Sequence, residues 1–388
     1  MVLRKKAVGN PQVMDYPSTH SIHLTHSLSP MNEFRPPIHS DPQFRSFFGG
    51  PDRSPRALRD LLDSHVAAVP AGGEIAWATY YFRDQSLAHS LLQASRRGVN
   101  VHLTLEANPR TAQANRSVIE ILRSISSRSG GLRAVKHIWP DNHLFWKIPR
   151  LHLKLYYFSH PEPHVLLGTF NPSGNRPEDP QVIAEIGDQD RGHNYLVEII
   201  DRQLVPALRD HLHSLYSIPH GPWERLLPSN NRVLVAGDSC IYLFPRLQRD
   251  VLRRKLKALP GETRLRMAIS HLSDKRMGRT LQSLAKRGVH IELLAHDTER
   301  RVPQWVEHQL NGALVFRRYR HREGLPMHNK FILVESPQNR EIMLGSMNLS
   351  ERSLHANHEL LMVSGSPLLY DVFQERWEQM FQEAEALL

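Results

Sequence analysis

Two stretches of this chain, 151–171 and 327–348, repeat one pattern. The first runs Leu-His-Leu-Lys-Leu-Tyr-Tyr-Phe and, past a polar turn, Val-Leu-Leu-Gly-Thr-Phe-Asn. The second runs Met-His-Asn-Lys-Phe-Ile-Leu-Val and, past another polar turn, Ile-Met-Leu-Gly-Ser-Met-Asn. His152 precedes Gly168 by 16 residues (152 to 168), and His328 precedes Gly345 by 17 (328 to 345). Each stretch reads as a hairpin in which His-x-Lys opens one apolar strand and Gly-x-x-Asn closes the next. Side chains alternate across a strand, so His152 and Lys154 share a face, as do His328 and Lys330. The apolar runs that follow suit buried strands, which would hold each polar pair rigidly. A histidine, a lysine and an amide brought together make a poor core and a good phosphate site. Lysine supplies charge, Asn and Ser/Thr supply donors, and histidine can attack or move a proton. One His-x-Lys is common by chance; two with matched Gly-x-x-Asn sequels are read as two halves of one active site.

The chain of 388 residues can hold two ordinary domains or one large one. Lys plus Arg exceed Asp plus Glu by 10 (49 against 39), and the pI is about 9.8. That balance favours an anionic partner, whether nucleic acid, acidic membrane surface or phosphorylated small molecule. Cys240 is the single cysteine, so an intrachain disulfide and a thiolate zinc site are both excluded. The basic start is followed by no apolar stretch of signal-peptide kind, and nowhere do about 18 apolar residues run together. A soluble or peripheral protein is expected, cytoplasmic or at a membrane surface.

Residues 1–53, rich in Pro, His, Ser and Asn, are expected to form a polar, partly disordered arm. Within it His20, His23 and His26 recur at three-residue spacing, but no carboxylate or cysteine beside them completes a metal set. From residue 54 the pattern becomes helix 56–69, strand 74–81, helix 85–97, strand 100–105, helix 117–128 and a strand near 133–138 before the first hairpin. The second half repeats this as helix 251–259, strand 262–269, helix 275–286, strand 290–294, helix 303–310 and strand 313–319 before the second hairpin. Arg-Gly-Val stands between helix and strand in both, at 97–99 and 287–289. It recurs after 190 residues (97 to 287), His-x-Lys after 176 (152 to 328), so the first half carries 14 more residues before its motif, within 124–147. Alternating strands and helices define an α/β class. The halves are placed at 54–218 and 219–388, joined near the Pro/Gly/Asn-containing stretch 219–231.

At the duplicated motifs the sequence resembles the phospholipase D superfamily, and the stretch from Gly345 to Ser353 with Asn357-His358-Glu359 looks most like its cardiolipin-synthase and bacterial phospholipase D branch. The likeness covers roughly residues 55–385. It implies two tandem α/β/α repeats related by a pseudo-two-fold, with mixed sheets flanked by helices. The family's full motif ends in an aspartate where this chain has Ser159 and Glu335. Glu359 fits the carboxylate that orients a catalytic histidine. Its first-half counterpart is read as Leu196, in Asn194-Tyr195-Leu196, with Glu198, two residues on and on the same strand face, as a substitute.

The resemblance further implies phosphodiester cleavage by double displacement, requiring no cofactor and no metal. His152 is assigned as nucleophile and His328 as acid/base. Lys154, Lys330, Asn171 and Asn348 hold the phosphoryl oxygens, supported by Thr169 and Ser346. Three readings of the substrate stay open. A phospholipid is suggested by the branch likeness and by the aromatic insert at 143–147, which suits a membrane interface. Nucleic acid is suggested by the charge and by the basic run 317–322. A catalytically dead scaffold is suggested by Ser159, Glu335 and Leu196. Since both half-sites lie in one chain, a monomer suffices.

Overall fold

The computed structural model describes residues 44–125, 130–135, 149–174 and 178–385. The histidine-bearing arm and the aromatic insert at 143–147 fall outside these residues. Among them, two mixed sheets are built to one plan. In the first half the strands are β1 (Phe44–Gly49), β2 (Glu74–Thr79), β3 (Asn100–Glu106), β4 (Gly130–Val135), β5 (Lys154–Phe158), β6 (His164–Gly168) and β7 (Asn194–Ile199). In the second they are β8 (Val233–Ala236), β9 (Ser239–Phe244), β10 (Arg264–Ile269), β11 (His290–His296), β12 (Val315–Tyr319), β13 (Lys330–Glu335), β14 (Arg340–Gly345) and β15 (Glu359–Ser364). The first sheet has the order β1-β7-β6-β5-β2-β3-β4, the second β12-β11-β10-β13-β14-β15-β9-β8. In each, three strands pair parallel and the rest antiparallel. The expected pair of α/β repeats is present.

The Arg-Gly-Val echo has a backbone cause. The helices Gln85–Arg96 and Lys275–Lys286 start on Asp84 and Asp274, whose carboxylates accept from Leu87 N and Met277 N, both at 2.7 Å. They end on Gly98 and Gly288, at φ +94° and +90°, a left-handed turn that lets Val99 N and Val289 N return to Ala94 O and Leu284 O at 3.1 Å. The next strand therefore starts in the same place twice.

Each sheet buries one face under its own helices, and its other face contributes to one apolar core shared by both halves. Leu155, Leu167 and Tyr195 meet Phe331, Leu344 and Phe373 there. Strands β5 and β13 are buried along almost their whole length, as their unbroken apolar runs require. The Tyr195 hydroxyl crosses between halves, donating toward Lys330 O and Gly345 O at 2.9 and 3.1 Å and accepting from Gly345 N at 2.9 Å. Helix Leu204–Ser217 and the C-terminal helix Pro367–Glu385, neither of them expected from sequence, complete this core.

Two boundaries differ from expectation. Phe44–Gly49, assigned to the polar arm, is a strand: its backbone pairs antiparallel with β7 and Phe48 packs on Phe373. The expected helix 117–128 is the shorter Arg116–Leu122. No helix among the described residues is long and apolar enough to cross a membrane.

Gly168 and Gly345 occupy matching close crossings of this frame. A Cβ on Gly168 would stand 2.2 Å from Tyr195 O, and one on Gly345 2.1 Å from Leu360 O. Gly168→Ala or Gly345→Ala must push β6 from β7 or β14 from β15. Each is expected to cost about 1–3 kcal/mol or more, read as a lowered urea midpoint.

Candidate active site

The two His-x-Lys segments are each tied to the opposite half. Leu151 forms a parallel bridge with His358, through His358 N to Arg150 O (2.9 Å) and His152 N to His358 O (3.0 Å). Met327 does the same with His193, through His193 N to Pro326 O and His328 N to His193 O, both 2.9 Å. The residue following each bridge partner, Glu359 or Asn194, then faces the histidine of the other half.

His152 Nδ1 donates to Glu359, 3.0 Å from Oε1 and 3.1 Å from Oε2. That carboxylate also accepts from Ser346 Oγ (2.5 Å), Ser353 Oγ (2.7 Å) and Asn357 Nδ2 (3.2 Å). His328 Nδ1 donates to Asn194 Oδ1 at 2.9 Å, which accepts in addition from Thr169 Oγ1 at 3.1 Å. Thr169 and Ser346 occupy matching places: each hydroxyl accepts from the next strand, from Tyr195 N (3.0 Å) and Leu360 N (3.1 Å). Expected as substrate contacts, they instead brace the groups that orient the histidines.

This geometry corrects the first-half assignment. The partner of Glu359 is Asn194, since β7 and β15 begin at these two residues, and not Leu196. Glu198 lies farther along β7, buried beside His65, His164 and Arg45, and does not line the site. Four residues along a strand carry it about 13 Å from Asn194.

Lys154 Nζ and Lys330 Nζ each donate to the carbonyl of the histidine two residues earlier, at 2.7 Å. His152, His328, Asn171 and Asn348 line one cavity of about 480 Å³. Asn171 uses its amide on Gln189 Oε1 (2.8 Å) and its oxygen on Tyr81 N (3.2 Å), whereas Asn348 Oδ1 has no hydrogen-bond partner among the described residues. Sequence reading missed the cavity wall. Arg110 and Arg300 both donate to Glu185 O (3.0 and 3.1 Å), Arg301 to Ile186 O (2.6 Å), and Arg150 to the Tyr80 hydroxyl (2.5 Å); Arg352 completes the set. The pairs Arg300-Arg301 and Arg150 just before Leu151-His152 were visible as charge, but their convergence depends on loops far apart in sequence. The basic run 317–322 lies elsewhere: Arg317 stacks on Phe381 at 4.0 Å, Arg318 bonds Glu307 and backbone carbonyls, and none lines the cavity.

Burial first, and crowded positive charge next at all but Lys154, shift the histidines and lysines here toward their neutral forms, while Glu359 is lowered and stays charged. Burial lowers His152 to about 4, with Glu359 opposing and Lys154 assisting. Burial also brings Lys154 down to about 7, against the attraction of Glu359. His328 and Lys330 are pushed well below their ordinary values by burial first and by the neighbouring Lys and Arg charges next. Arg301 falls to about 9 through burial and the charges of Arg300 and Arg110. An anion in the cavity would reverse these shifts, because it supplies the missing countercharge.

The departures at the motif ends are distant from this chemistry. Ser159, where the superfamily has aspartate, closes its strand by accepting from Glu74 N at 2.7 Å. Glu335 pairs with Arg266 at 3.4 Å.

Comparisons with known proteins bear on the fold and the family likeness. The profile of the family described as cardiolipin synthase, PLD-like domain, matches residues 258–383. A curated relative, the mitochondrial cardiolipin hydrolase of Danio rerio, is 25% identical over 147 residues, 38% of this chain and 63% of that protein. The fold is shared with phosphatidylserine synthase of Haemophilus influenzae Rd KW20, at TM-score 0.60 and 11% identity over 88% of this chain and 86% of that one. It is shared also with polyphosphate kinase of Porphyromonas gingivalis, at TM-score 0.59 and 14% identity over 88% of this chain and 47% of that one. Fold and site thus define a duplicated phospholipase-D-like α/β protein. The family match, the relative and the shared fold together support membership of the phospholipase D superfamily.

Burial of neutral histidines has a consequence for acid stability. Besides His152, burial lowers His65 and His296 to about 4 and His211 to about 3. In the unfolded chain histidine takes up its proton near 6.5, so between about 6.5 and 4 the unfolded state binds more protons. Stability is therefore fully present above pH 6.5 and is lost as pH falls toward 4. Urea midpoints are expected to be clearly lower at pH 5 than at pH 7; equal midpoints would contradict the buried, neutral state.

Proposed function

We propose that this chain is a phosphodiesterase or phosphatidyltransferase that acts on anionic phospholipid through a covalent phosphohistidine. The carrying observation is the arrangement of the histidines. Both donate Nδ1–H to a fixed oxygen, which leaves each Nε2 as the reactive atom, and both line a cavity walled by arginines.

His152 is the better nucleophile, because the Glu359 carboxylate stabilises the positive ring formed when Nε2 bonds to phosphorus. As the P–N bond forms, the P–O bond to the leaving group breaks, and His328, protonated at Nε2 once the bound phosphodiester anion raises its proton affinity, gives that proton to the leaving oxygen. Water or an alcohol then attacks phosphorus, returns a proton to His328 and releases His152. Lys154, Lys330 and Asn348 offset the charge on the non-bridging oxygens. This chemistry draws its positive charge from side chains and calls for no metal. The arginines exceed what one phosphodiester needs, which favours a substrate with a second anionic group beside the scissile one. With the matching family and the curated relative both described by cardiolipin, this supports a lipid, met at a membrane surface by a monomer. Five arginines around the cavity would serve a nucleic-acid backbone too, so a nuclease is the second reading.

The test offers purified protein phosphatidylglycerol or cardiolipin vesicles, with and without a primary alcohol, and single-stranded DNA in parallel. Lipid turnover is expected, with the alcohol adduct distinguishing transfer from hydrolysis. The His152→Ala, His328→Ala double variant should be inactive, and His328→Ala alone should lower turnover about 10²–10⁴-fold. DNA cleavage with inert vesicles would overturn the lipid reading in favour of the nuclease.

A further inference from the structure

Behind the His152–Glu359 pair lies a second polar cluster that the phosphoryl chemistry does not use. His220 and Glu224 belong to the connection between the halves, and His358 is the bridge residue immediately before Glu359. All three are buried, at 2%, 3% and 0% exposure. One ring nitrogen of each histidine and one carboxylate oxygen lie within 4.8 Å of one another. Glu224 Oε2 is 2.9 Å from His220 Nδ1 and 2.9 Å from His358 Nε2, while Glu224 Oε1 accepts from Gly221 N at 2.7 Å.

The hydrogen-bond roles do not close without a positive species. His220 Nε2 stands 3.0 Å from Leu215 O, and a carbonyl only accepts, so the proton of neutral His220 is on Nε2. Its Nδ1 then presents a lone pair to a carboxylate oxygen. Either a second proton or a metal ion must relieve that contact. An imidazole whose outer N–H is donated to a backbone carbonyl is the usual arrangement of a metal-bound histidine.

The pseudo-symmetric position shows the contrast. His193, which precedes Asn194, pairs with Glu383 at 2.9 Å and Tyr319 at 2.7 Å, but its Nδ1 faces the Arg376 guanidinium at 2.8 Å. There an arginine supplies the positive charge. At Glu224 the charged or titratable side-chain partners, among the described residues, are histidines. His211, 5% exposed and within electrostatic reach of all three residues, has no hydrogen-bond partner on either ring nitrogen among the described residues. The other two histidine–carboxylate clusters are weaker, since Arg209 holds Glu74 at 2.6 and 2.9 Å and Arg45 approaches Glu198 at 3.5 Å.

We infer that His220, Glu224 and His358 form a divalent-metal site, zinc by its ligand set, that clamps the inter-half connection to the strand carrying Glu359. Two histidines and one glutamate are an established zinc set, with ligand bonds of about 2.0–2.2 Å. Tetrahedral bonds of that length put ligand atoms about 3.3 Å apart, so the 2.9 Å contacts need open only a few tenths of an ångström. Water or His211 would take the fourth position. The role is positional: His358 fixes the backbone of His152 and adjoins the carboxylate that orients it.

The test uses the full chain, stripped with chelator and titrated with Co²⁺ and Zn²⁺. Tetrahedral Co²⁺ absorption in the visible range, one Zn²⁺ bound per chain by calorimetry, and a melting temperature several degrees higher with zinc than with chelator are expected. His220→Asn or Glu224→Gln should weaken binding by about 100-fold or more. The unmodified chain carries the spectroscopic and melting readouts, so a poorly folding variant does not decide the matter. Absence of metal uptake would identify the positive species as a proton and overturn the inference. So would uptake unaffected by His220→Asn and abolished by His213→Asn or His164→Asn.

Discussion

The exchange of two backbone bridges between the halves is the constraint on which the site depends. A buried N–H or C=O must be paired, and around His152 and His328 the partners come from the other repeat. His358 receives the first segment and His193 the second. Neither half can therefore hold its own histidine: the main chain and the orienting side chain both come from across the pseudo-two-fold. The Tyr195 hydroxyl, spanning Lys330 O and the Gly345 main chain, adds a third tie below the cavity. Duplication here does not produce two sites. It produces one, with each repeat completing the other.

Symmetry of the frame makes asymmetry of the orienting groups informative. Glu359 and Asn194 occupy equivalent positions and accept the same kind of Nδ1–H bond, yet only Glu359 is charged. A carboxylate favours a ring that becomes positive, and a carboxamide oxygen favours one that stays neutral between proton transfers. Thr169 and Ser346 hold those oxygens in place, so the difference lies in charge rather than in aim. The lysines are tied to the histidine carbonyls, and burial lowers the proton affinity of both, with the charges of Lys154 and Arg301 adding to it at Lys330.

Much of this frame was legible because it was written twice. The hairpins, the Arg-Gly-Val turns with their aspartate caps and the strand–helix order follow from local rules. Reading the orienting residue required more. Aligning Asn194 with Asn357 by identity shifts the match by two residues and lands on Leu196, whose alternation with Glu198 then looks persuasive. The register is set instead by the hydroxyls of Thr169 and Ser346, which pair with Tyr195 and Leu360 and so align His193-Asn194 with His358-Glu359. Histidine before each orienting residue was the available signal. Phe44–Gly49 was hidden for another reason: a short edge strand in polar surroundings owes its form to β7, not to its own pattern.

The cavity separates into a floor and a wall with different origins, and the division explains why superfamily and substrate were unequally legible. Floor residues come from strand starts whose positions the ladders dictate, so spacing in the sequence carries them. Wall residues are arginines on connections: Arg110 after β3, Arg300 and Arg301 after β11, Arg352 after β14. Arg110 and the Arg300-Arg301 pair lie far in sequence from the floor residues, and only packing brings Arg110 from one half against Arg300 and Arg301 from the other. Their charges repel one another, as the lowered proton affinity of Arg301 records. Backbone carbonyls at Glu185 and Ile186 hold them together despite this. A fold that keeps like charges together at a cost in stability presents a wall suited to an anion, in keeping with the phosphodiester substrate proposed above, whereas the floor follows from the strand ladders.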